Sequence, residues 1–122
     1  MKDLIFLHAL EVRCRIGIYD WERRIRQKVL VDLEYPTDVS RDARRDSVRD
    51  TLNYKDLAKF VIRFVSGSRF QLVETLAERL AGEILKRYPL RQIKVRISKP
   101  GAIRGAENVG VEIVRRRLKK RR

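Results

Sequence analysis

The sequence has few of the residues that metal sites and covalent catalysis most often use. Among 122 residues there is one histidine, His8, and one cysteine, Cys14. A single cysteine excludes an internal disulfide, and the two residues together cannot build a conventional zinc site. On an extended strand they would lie about 20 Å apart, which is too far for a catalytic pair. The sequence therefore predicts no metal centre.

Long apolar runs and glycine-rich phosphate loops are also missing. No segment approaches the roughly 18 apolar residues of a membrane span, and the start, MKDLIFLHALEVR, has no signal-peptide pattern. The segment GAIRGAENVG (101–110) lacks the lysine–serine ending of a P-loop. We therefore expect a cytoplasmic protein, which agrees with the single cysteine.

Acidic residues are scarce at the C-terminus. The chain has 30 Lys and Arg against 16 Asp and Glu, a net charge of +14, and its last eight residues, RRRLKKRR, contain seven basic ones. Elsewhere arginines alternate with acids, as in RDARRDSVRD (41–50), which indicates a solvated surface. We interpret residues 117–122 as a disordered basic tail, with binding of RNA or another anionic partner as the alternative.

What is present is regular periodicity over one domain, residues 1–116. Apolar residues alternate over 4–14, with His8 on the apolar side as a core or interface residue, and again over 28–35, 92–98 and 109–113. Between the strand pairs, Asn53 can cap a helix that ends at Ser66-Gly67-Ser68. Ser68 and Gln71 resemble the capping box of a second helix, which ends near Tyr88.

This order, β-β-α-α-β-β, predicts an α+β fold. We expect a four-stranded antiparallel sheet with two helices on its apolar face. The opposite face is polar but of mixed sign, which fits either a solvated surface or the inner wall of a barrel closed by several subunits. It carries Lys28, Asp32, Glu34, Lys94, Arg96 and Glu112.

Four polar residues occupy settings that could carry chemistry. Lys99 ends a strand and is held extended by the proline that follows it. Glu22 lies in the aromatic-rich connection YDWE, and Tyr54 opens the first helix. Glu74 lies early in the second helix, where the dipole favours a carboxylate. Each of the four also has an ordinary structural explanation, so none is decisive alone.

Together, four segments resemble the dihydroneopterin aldolase family of folate biosynthesis. They are IGIYDWERRIRQKVLVDLE (16–34), DSVRDTLNYKDLA (46–58), RFQLVETLAERLA (69–81) and SKPGAIRGAENVGVEI (98–113). The resemblance implies the tunnelling fold, in which sheets close into a ring, usually of four subunits. Two stacked rings form a homo-octamer with active sites between neighbouring subunits.

The resemblance also implies roles for individual residues and a reaction without a cofactor. Glu74, with the backbone of Leu72 and Val73, would bind the pterin edge, since a carboxylate accepts from two parallel donors. Glu22 would contact the hydroxylated side chain, and Tyr54 would come from the adjacent subunit. Lys99 would be the acid/base lysine of a metal-free retro-aldol cleavage to 6-hydroxymethyl-7,8-dihydropterin and glycolaldehyde.

Two alternatives remain open at this point. Within the same family, the enzyme could epimerise the side chain of dihydroneopterin or of its triphosphate, at the 2′ carbon. In a different class, a basic nucleic-acid-binding module would need aromatic residues on its open sheet face. That face instead shows lysine, arginine and acidic residues.

Overall fold

Four long strands form the antiparallel sheet that the alternating patterns predict, and a short fifth strand extends it. The structure, a computed structural model, describes residues 3–48 and 51–118. The strands are β1 (Asp3–Ile16), β2 (Gln27–Thr37), β3 (Arg69–Phe70), β4 (Gln92–Pro100) and β5 (Asn108–Arg116). Their order is β3-β1-β2-β4-β5, and β3 pairs with β1 in parallel. The sheet is therefore five-stranded and mixed, and the prediction of four antiparallel strands was wrong in this respect.

Within the described residues three α-helices accompany the sheet, one more than the sequence predicts. They are α1 (Val39–Arg45), α2 (Tyr54–Ser66) and α3 (Val73–Arg87), and a 3-10 helix (Asp20–Arg24) lies between β1 and β2. The Asn53 side chain caps α2 as expected, accepting from Lys55 N–H at 2.9 Å. The capping box at Ser68 is wrong, because the Ser68 hydroxyl donates to Val65 O instead.

The apolar core lies between the sheet and helices α2 and α3. Each of these helices turns one apolar stripe towards the sheet, as amphipathic helices do. Among the described residues no helix has the length and apolar character to cross a membrane. The largest fully buried side chains are Ile16, Leu33, Leu57, Leu76, Leu80, Ile84, Ile93, Ile97, Val29, Val31, Val61 and Val65.

A β-bulge in β1 reverses the phase of its alternation. The pairing with β2 shifts between Leu7 and Leu10, and Ala9 takes a left-handed backbone with φ 56°. Asp32 holds the bulge, since its Oδ1 accepts from Ala9 N–H at 2.6 Å and lies 2.9 Å from His8 Nδ1. His8 is consequently 79% exposed. Of the two positions predicted for His8, the core is wrong, and an interface stays a prediction.

The sheet surface turned away from α2 and α3 carries a ladder of charges. We call Asp32, Glu34, Lys94, Arg96 and Glu112 the polar sheet face. Lys94 Nζ lies 3.5 Å from Glu34 and 3.9 Å from Glu112, and Arg96 Nη1 lies 3.3 Å from Glu112. The mixed signs that the sequence shows are thus paired across strands within a single chain.

Arg117 fastens the chain after β5 to the end of α3. The Arg117 guanidinium donates to the carbonyls of Leu85, Tyr88 and Leu90. The backbone N–H of Arg117 donates to Arg91 O at 2.8 Å. A cation at a helix C-terminus also complements the helix dipole. Of the predicted tail, 117–122, residues 119–122 lie outside the described part of the chain.

Candidate active site

Lys99 and Glu22 form an ion pair at the end of the sheet. Lys99 Nζ lies 3.3 Å from Glu22 Oε2, and the two side chains are only 16% and 15% exposed. Lys99 is the penultimate residue of β4, and the chain turns directly after it at Gly101, whose φ is 69°. The structure therefore brings together two of the residues that the sequence singled out, 77 positions apart.

The short 3-10 helix holds the Glu22 carboxylate in place. Tyr19 N–H donates to Glu22 Oε1 at 3.2 Å, so each carboxylate oxygen has its own donor. Burial raises the pKa of Glu22, but the hydrogen bonds from Tyr19 N–H and from Lys99 outweigh burial, and its pKa lies below the ordinary value. Glu22 is therefore a carboxylate at neutral pH, and it faces Lys99 Nζ.

Two residues that sequence reasoning missed fix this helix. Arg23 Nη1 donates to Gly17 O at 2.7 Å and to Ile18 O at 3.0 Å. Gln27 Nε2 donates to Ile16 O at 2.7 Å and to Glu22 O at 3.3 Å. Both act by closing the turn between β1 and β2, and no sequence pattern distinguishes them from surface residues.

A buried cysteine lies near the ion pair. Cys14, on β1, is fully buried and free. Burial raises the pKa of its thiol, and a hydrogen bond with Ser68 and the charges of Lys99 and Arg26 lower it by less. Cys14 is thus a protonated thiol at neutral pH, which does not favour it as a nucleophile.

The N-terminus of α3 opens at the same end of the sheet. Gly17 N–H donates to Phe70 O at 3.2 Å, which ties β3, and therefore the start of α3, to the end of β1. The N-cap residue, Leu72, makes no side-chain cap. Glu74 is exposed in the first turn, and no described residue pairs with its carboxylate. Backbone N–H groups and one carboxylate are thus available there to a ligand.

Tyr54 lies at the opposite end of the molecule. It opens α2 beside Tyr35, whose pKa rises to about 12 through burial and the proximity of Asp42 and Tyr54. Leu30, which pairs with Ser98 next to Lys99, is five residues from Tyr35 along β2, or about 16 Å. Within one chain, Tyr54 therefore does not reach Lys99.

An exposed aromatic pair adjoins the site. The rings of Tyr19 and Trp21 stack with centroids 6.5 Å apart, and the two residues are 63% and 59% exposed.

Among residues 3–48 and 51–118, no three histidine, cysteine or acidic side chains cluster to hold a metal ion. The arrangement offers a lysine amino group, two carboxyl groups and free backbone donors, which suits binding of a polar ring and transfer of protons.

Known proteins that are similar to this chain in sequence carry the same description. The family model described as dihydroneopterin aldolase matches residues 5–114. The dihydroneopterin aldolase of Escherichia coli (strain K12) is 43% identical over 113 residues, 93% of this chain and 93% of the relative. That of Haemophilus influenzae is 41% identical over 117 residues, 96% of this chain and 99% of the relative. The matched region includes every candidate site residue.

A solved structure agrees with the sequence comparison. The crystal structure of E. coli dihydroneopterin aldolase in complex with neopterin superposes on this chain with a TM-score of 0.88 at 43% identity. The superposition covers 93% of this chain and 98% of that one. The two chains therefore share their fold over almost their whole length.

Proposed function

Because the chain belongs to the dihydroneopterin aldolase family, we propose that it cleaves 7,8-dihydroneopterin at the end of the sheet where Lys99 meets Glu22. The enzyme is a lyase. The observation that carries the proposal is the pair itself, 3.3 Å apart and largely buried, beside the free N-terminus of α3. A hydroxyl-bearing substrate chain placed there meets both a proton acceptor and a proton donor.

Glu74 binds the pterin ring in this proposal. Its unpaired carboxylate can accept from the ring N–H and the 2-amino group, which lie side by side. The backbone of Leu72 and Val73 completes the recognition of the ring edge. Support comes from the exposure of Glu74 and Leu72 and from the missing side-chain cap at the helix start.

Glu22 and Lys99 act on the side chain of the substrate. Glu22 accepts a hydrogen bond from a side-chain hydroxyl, and Lys99, acting as the neutral amine, takes up the proton of the 2′-hydroxyl through a water molecule. The C1′–C2′ bond then breaks, and its electrons enter the conjugated C6=N5 bond as an enamine while glycolaldehyde leaves. Protonation of C1′ yields 6-hydroxymethyl-7,8-dihydropterin. The ring supplies the electron sink, so the chain's residues need only position the substrate and move protons.

Tyr54 joins this site from the adjacent subunit and helps to protonate the enamine. The distance between Tyr54 and Lys99 within one chain supports this arrangement, as do the 57% exposure of Tyr54 and the position of β5 at an edge of the sheet. We propose that sheets join edge to edge in rings of four, stacked in pairs as an octamer, so that the polar sheet face lines the tunnel.

We also propose that the enzyme works in the cytoplasm. Its one cysteine is buried as a free thiol, which fits a reducing compartment.

A product assay tests the activity directly. Purified protein is incubated with 7,8-dihydroneopterin and a chelator, and glycolaldehyde and the pterins are separated. Release of glycolaldehyde together with 6-hydroxymethyl-7,8-dihydropterin is the expected result. Formation of the 2′-epimer without cleavage would contradict the aldolase reaction, and so would the absence of both products.

Subunit complementation tests the shared site. Lys99→Ala and Tyr54→Ala variants are expected to be inactive separately. Dissociated, mixed in equal amounts and reassembled, they should regain about a quarter of wild-type turnover, since each site takes the intact Lys99 and the intact Tyr54 with even odds. A mixture no more active than its components would show that the site lies within one chain.

A further inference from the structure

Gly17 is packed directly against Glu22. A Cβ atom built at Gly17 would lie 2.3 Å from Glu22 Cβ, 2.5 Å from its Cδ and 2.7 Å from its Oε1. The first of these contacts is the decisive one, because Cβ is fixed to the backbone and cannot turn away. Any side chain at position 17 therefore forces the 3-10 helix, and Glu22 with it, to move.

The backbone of Gly17 is itself held in place on both sides. Its N–H donates to Phe70 O at 3.2 Å, and its carbonyl accepts from Arg23 Nη1 at 2.7 Å. Ile16 before it is fully buried and pairs with Phe70. Residue 17 is thus held between the start of α3, which carries Glu74, and the helix that carries Glu22.

The other glycines in the described chain do not have this relation to the site. A Cβ at Gly82, Gly101 or Gly105 would meet no atom within 4 Å. At Gly67 and Gly110 the nearest atoms belong to backbone groups outside the ion pair. Only at Gly17 do all three nearest atoms belong to Glu22.

We infer that Gly17 is a positioning residue for catalysis, acting through Glu22. The missing side chain leaves the space in which Glu22 folds back onto Lys99 and accepts from Tyr19 N–H. This inference rests on the proposed function of Glu22. It adds that the same residue sets the position of the Glu22 carboxylate relative to β3, and so relative to the pterin-binding end of α3.

A double-mutant cycle separates this role from a general effect on folding. The variants are Gly17→Ala, Glu22→Gly and the double variant, because Glu22→Gly removes the Cβ that the new alanine would strike. Gly17→Ala should lower kcat by about 10²-fold, the order that a 1 Å misplacement costs a positioned group. Binding of the product 6-hydroxymethyl-7,8-dihydropterin should fall far less than kcat, since Glu74 still binds the pterin ring. Gly82→Ala is the matched control and should retain wild-type turnover.

The double variant decides the outcome. If Gly17 acts through Glu22, the double variant has the kcat of Glu22→Gly alone. An equal fold-loss from Gly17→Ala in both backgrounds would overturn the inference, and so would wild-type turnover of Gly17→Ala itself. Wild-type turnover of Glu22→Gly would instead overturn the proposed role of Glu22.

A stability readout covers the case in which Gly17→Ala folds poorly. Because the clash requires Glu22 Cβ, adding Glu22→Gly should restore the melting temperature that Gly17→Ala loses. A double variant that melts no higher than Gly17→Ala would contradict the steric relation.

Discussion

Two ion pairs in this chain have the same N–O separation and very different surroundings. Lys99–Glu22 and Arg96–Glu112 are each 3.3 Å apart. The first pair is 16% and 15% exposed, and the second is 58% and 44% exposed. Water screens the second pair, whereas the first is held by further hydrogen bonds and a steric fit. Distance alone therefore does not distinguish the two pairs; burial and the supporting contacts do, and they support the proposed role of Lys99–Glu22.

Removing the buried cation tests this contrast most strongly. Lys99→Ala should lower kcat for glycolaldehyde release by about 10² to 10⁴-fold, the range for loss of a general acid or base. Binding of the product should be retained. Arg96→Ala is the control, because it removes a cation at equal distance from its partner on the polar sheet face. Similar turnover in the two variants would show that the buried pair has no special role.

The Glu74 carboxylate, which pairs with no residue in the described part of the chain, extends the comparison. Glu74→Ala should weaken product binding by about ten- to a hundredfold, since hydrogen bonds to a charged group contribute about 1.5–3 kcal/mol. Calorimetric titration measures this loss. Glu78→Ala, one turn further along α3 and paired with Arg115, is the control and should bind as the wild type does. Unchanged affinity in Glu74→Ala would exclude Glu74 from the site.

Acid should weaken the buried pair in a defined range. The pKa of Glu22 lies below its ordinary value of 4.5 in the folded protein, so the ionised carboxylate stabilises the fold. That contribution is complete above the unfolded pKa and is lost as pH falls through the lower folded pKa. The stability difference between wild type and Glu22→Gln, measured by urea unfolding, should stay constant from about pH 7 to 5.5 and shrink below about 4.5.

The same pH series in a Lys99→Ala background provides the check. One of the hydrogen bonds that lowers the pKa of Glu22 is then missing. Above about pH 5.5, Glu22→Gln should therefore lower the free energy of unfolding by less in the Lys99→Ala background than in the wild type. An identical pH profile in both backgrounds would mean that the two side chains are not coupled.

Breaking the exposed pair should have the smallest effect. Arg96→Ala should change the free energy of unfolding by less than about 1 kcal/mol, as exposed pairs do. Glu112 keeps Lys94 as a partner at 3.9 Å, which reduces the effect further. Denaturant unfolding of the purified variant measures it. A loss well above that size would show that the polar sheet face is less hydrated than its exposure indicates.

Periodicity predicted β2 correctly and β1 only in part, for a physical reason. In β2 the alternation runs without interruption, and Val29, Val31 and Leu33 are all buried. In β1 the bulge at Ala9 shifts the phase, so Phe6 and His8 face solvent although they alternate with the residues after it. A bulge stabilised by a side chain on another strand leaves no local signal in the sequence.

The elements that the sequence did not predict are those with little apolar surface. Helix α1 contains no buried residue, so its segment shows no apolar stripe and was interpreted as plain surface. Strand β3 has two residues, which is too short for an alternation. Strand β3 is fixed by its parallel pairing with the distant β1, whereas α1 is held by its own cap, since the Asp38 side chain accepts from Arg41 N–H at 3.1 Å.

The sequence was enough to single out the candidate residues, but not the residues that hold them in position. The Pro-Gly turn after Lys99 and the YDWE segment around Glu22 drew attention to both residues, and the family resemblance supplied their roles. That the two side chains meet depends on β4 lying beside β2, which only the fold shows. Arg23, Gln27 and Gly17 support the site through backbone contacts and excluded volume, and residue type does not reveal either.

The single cysteine allows local opening of this end of the sheet to be measured. Cys14 is the only thiol in the chain, is fully buried and lies near Lys99. A thiol reagent can therefore react only when this end of the sheet opens, and the rate of labelling counts those openings. If labelling slows when a pterin is bound, the ratio of the rates without and with the ligand measures how strongly the ligand stabilises this end of the sheet against opening.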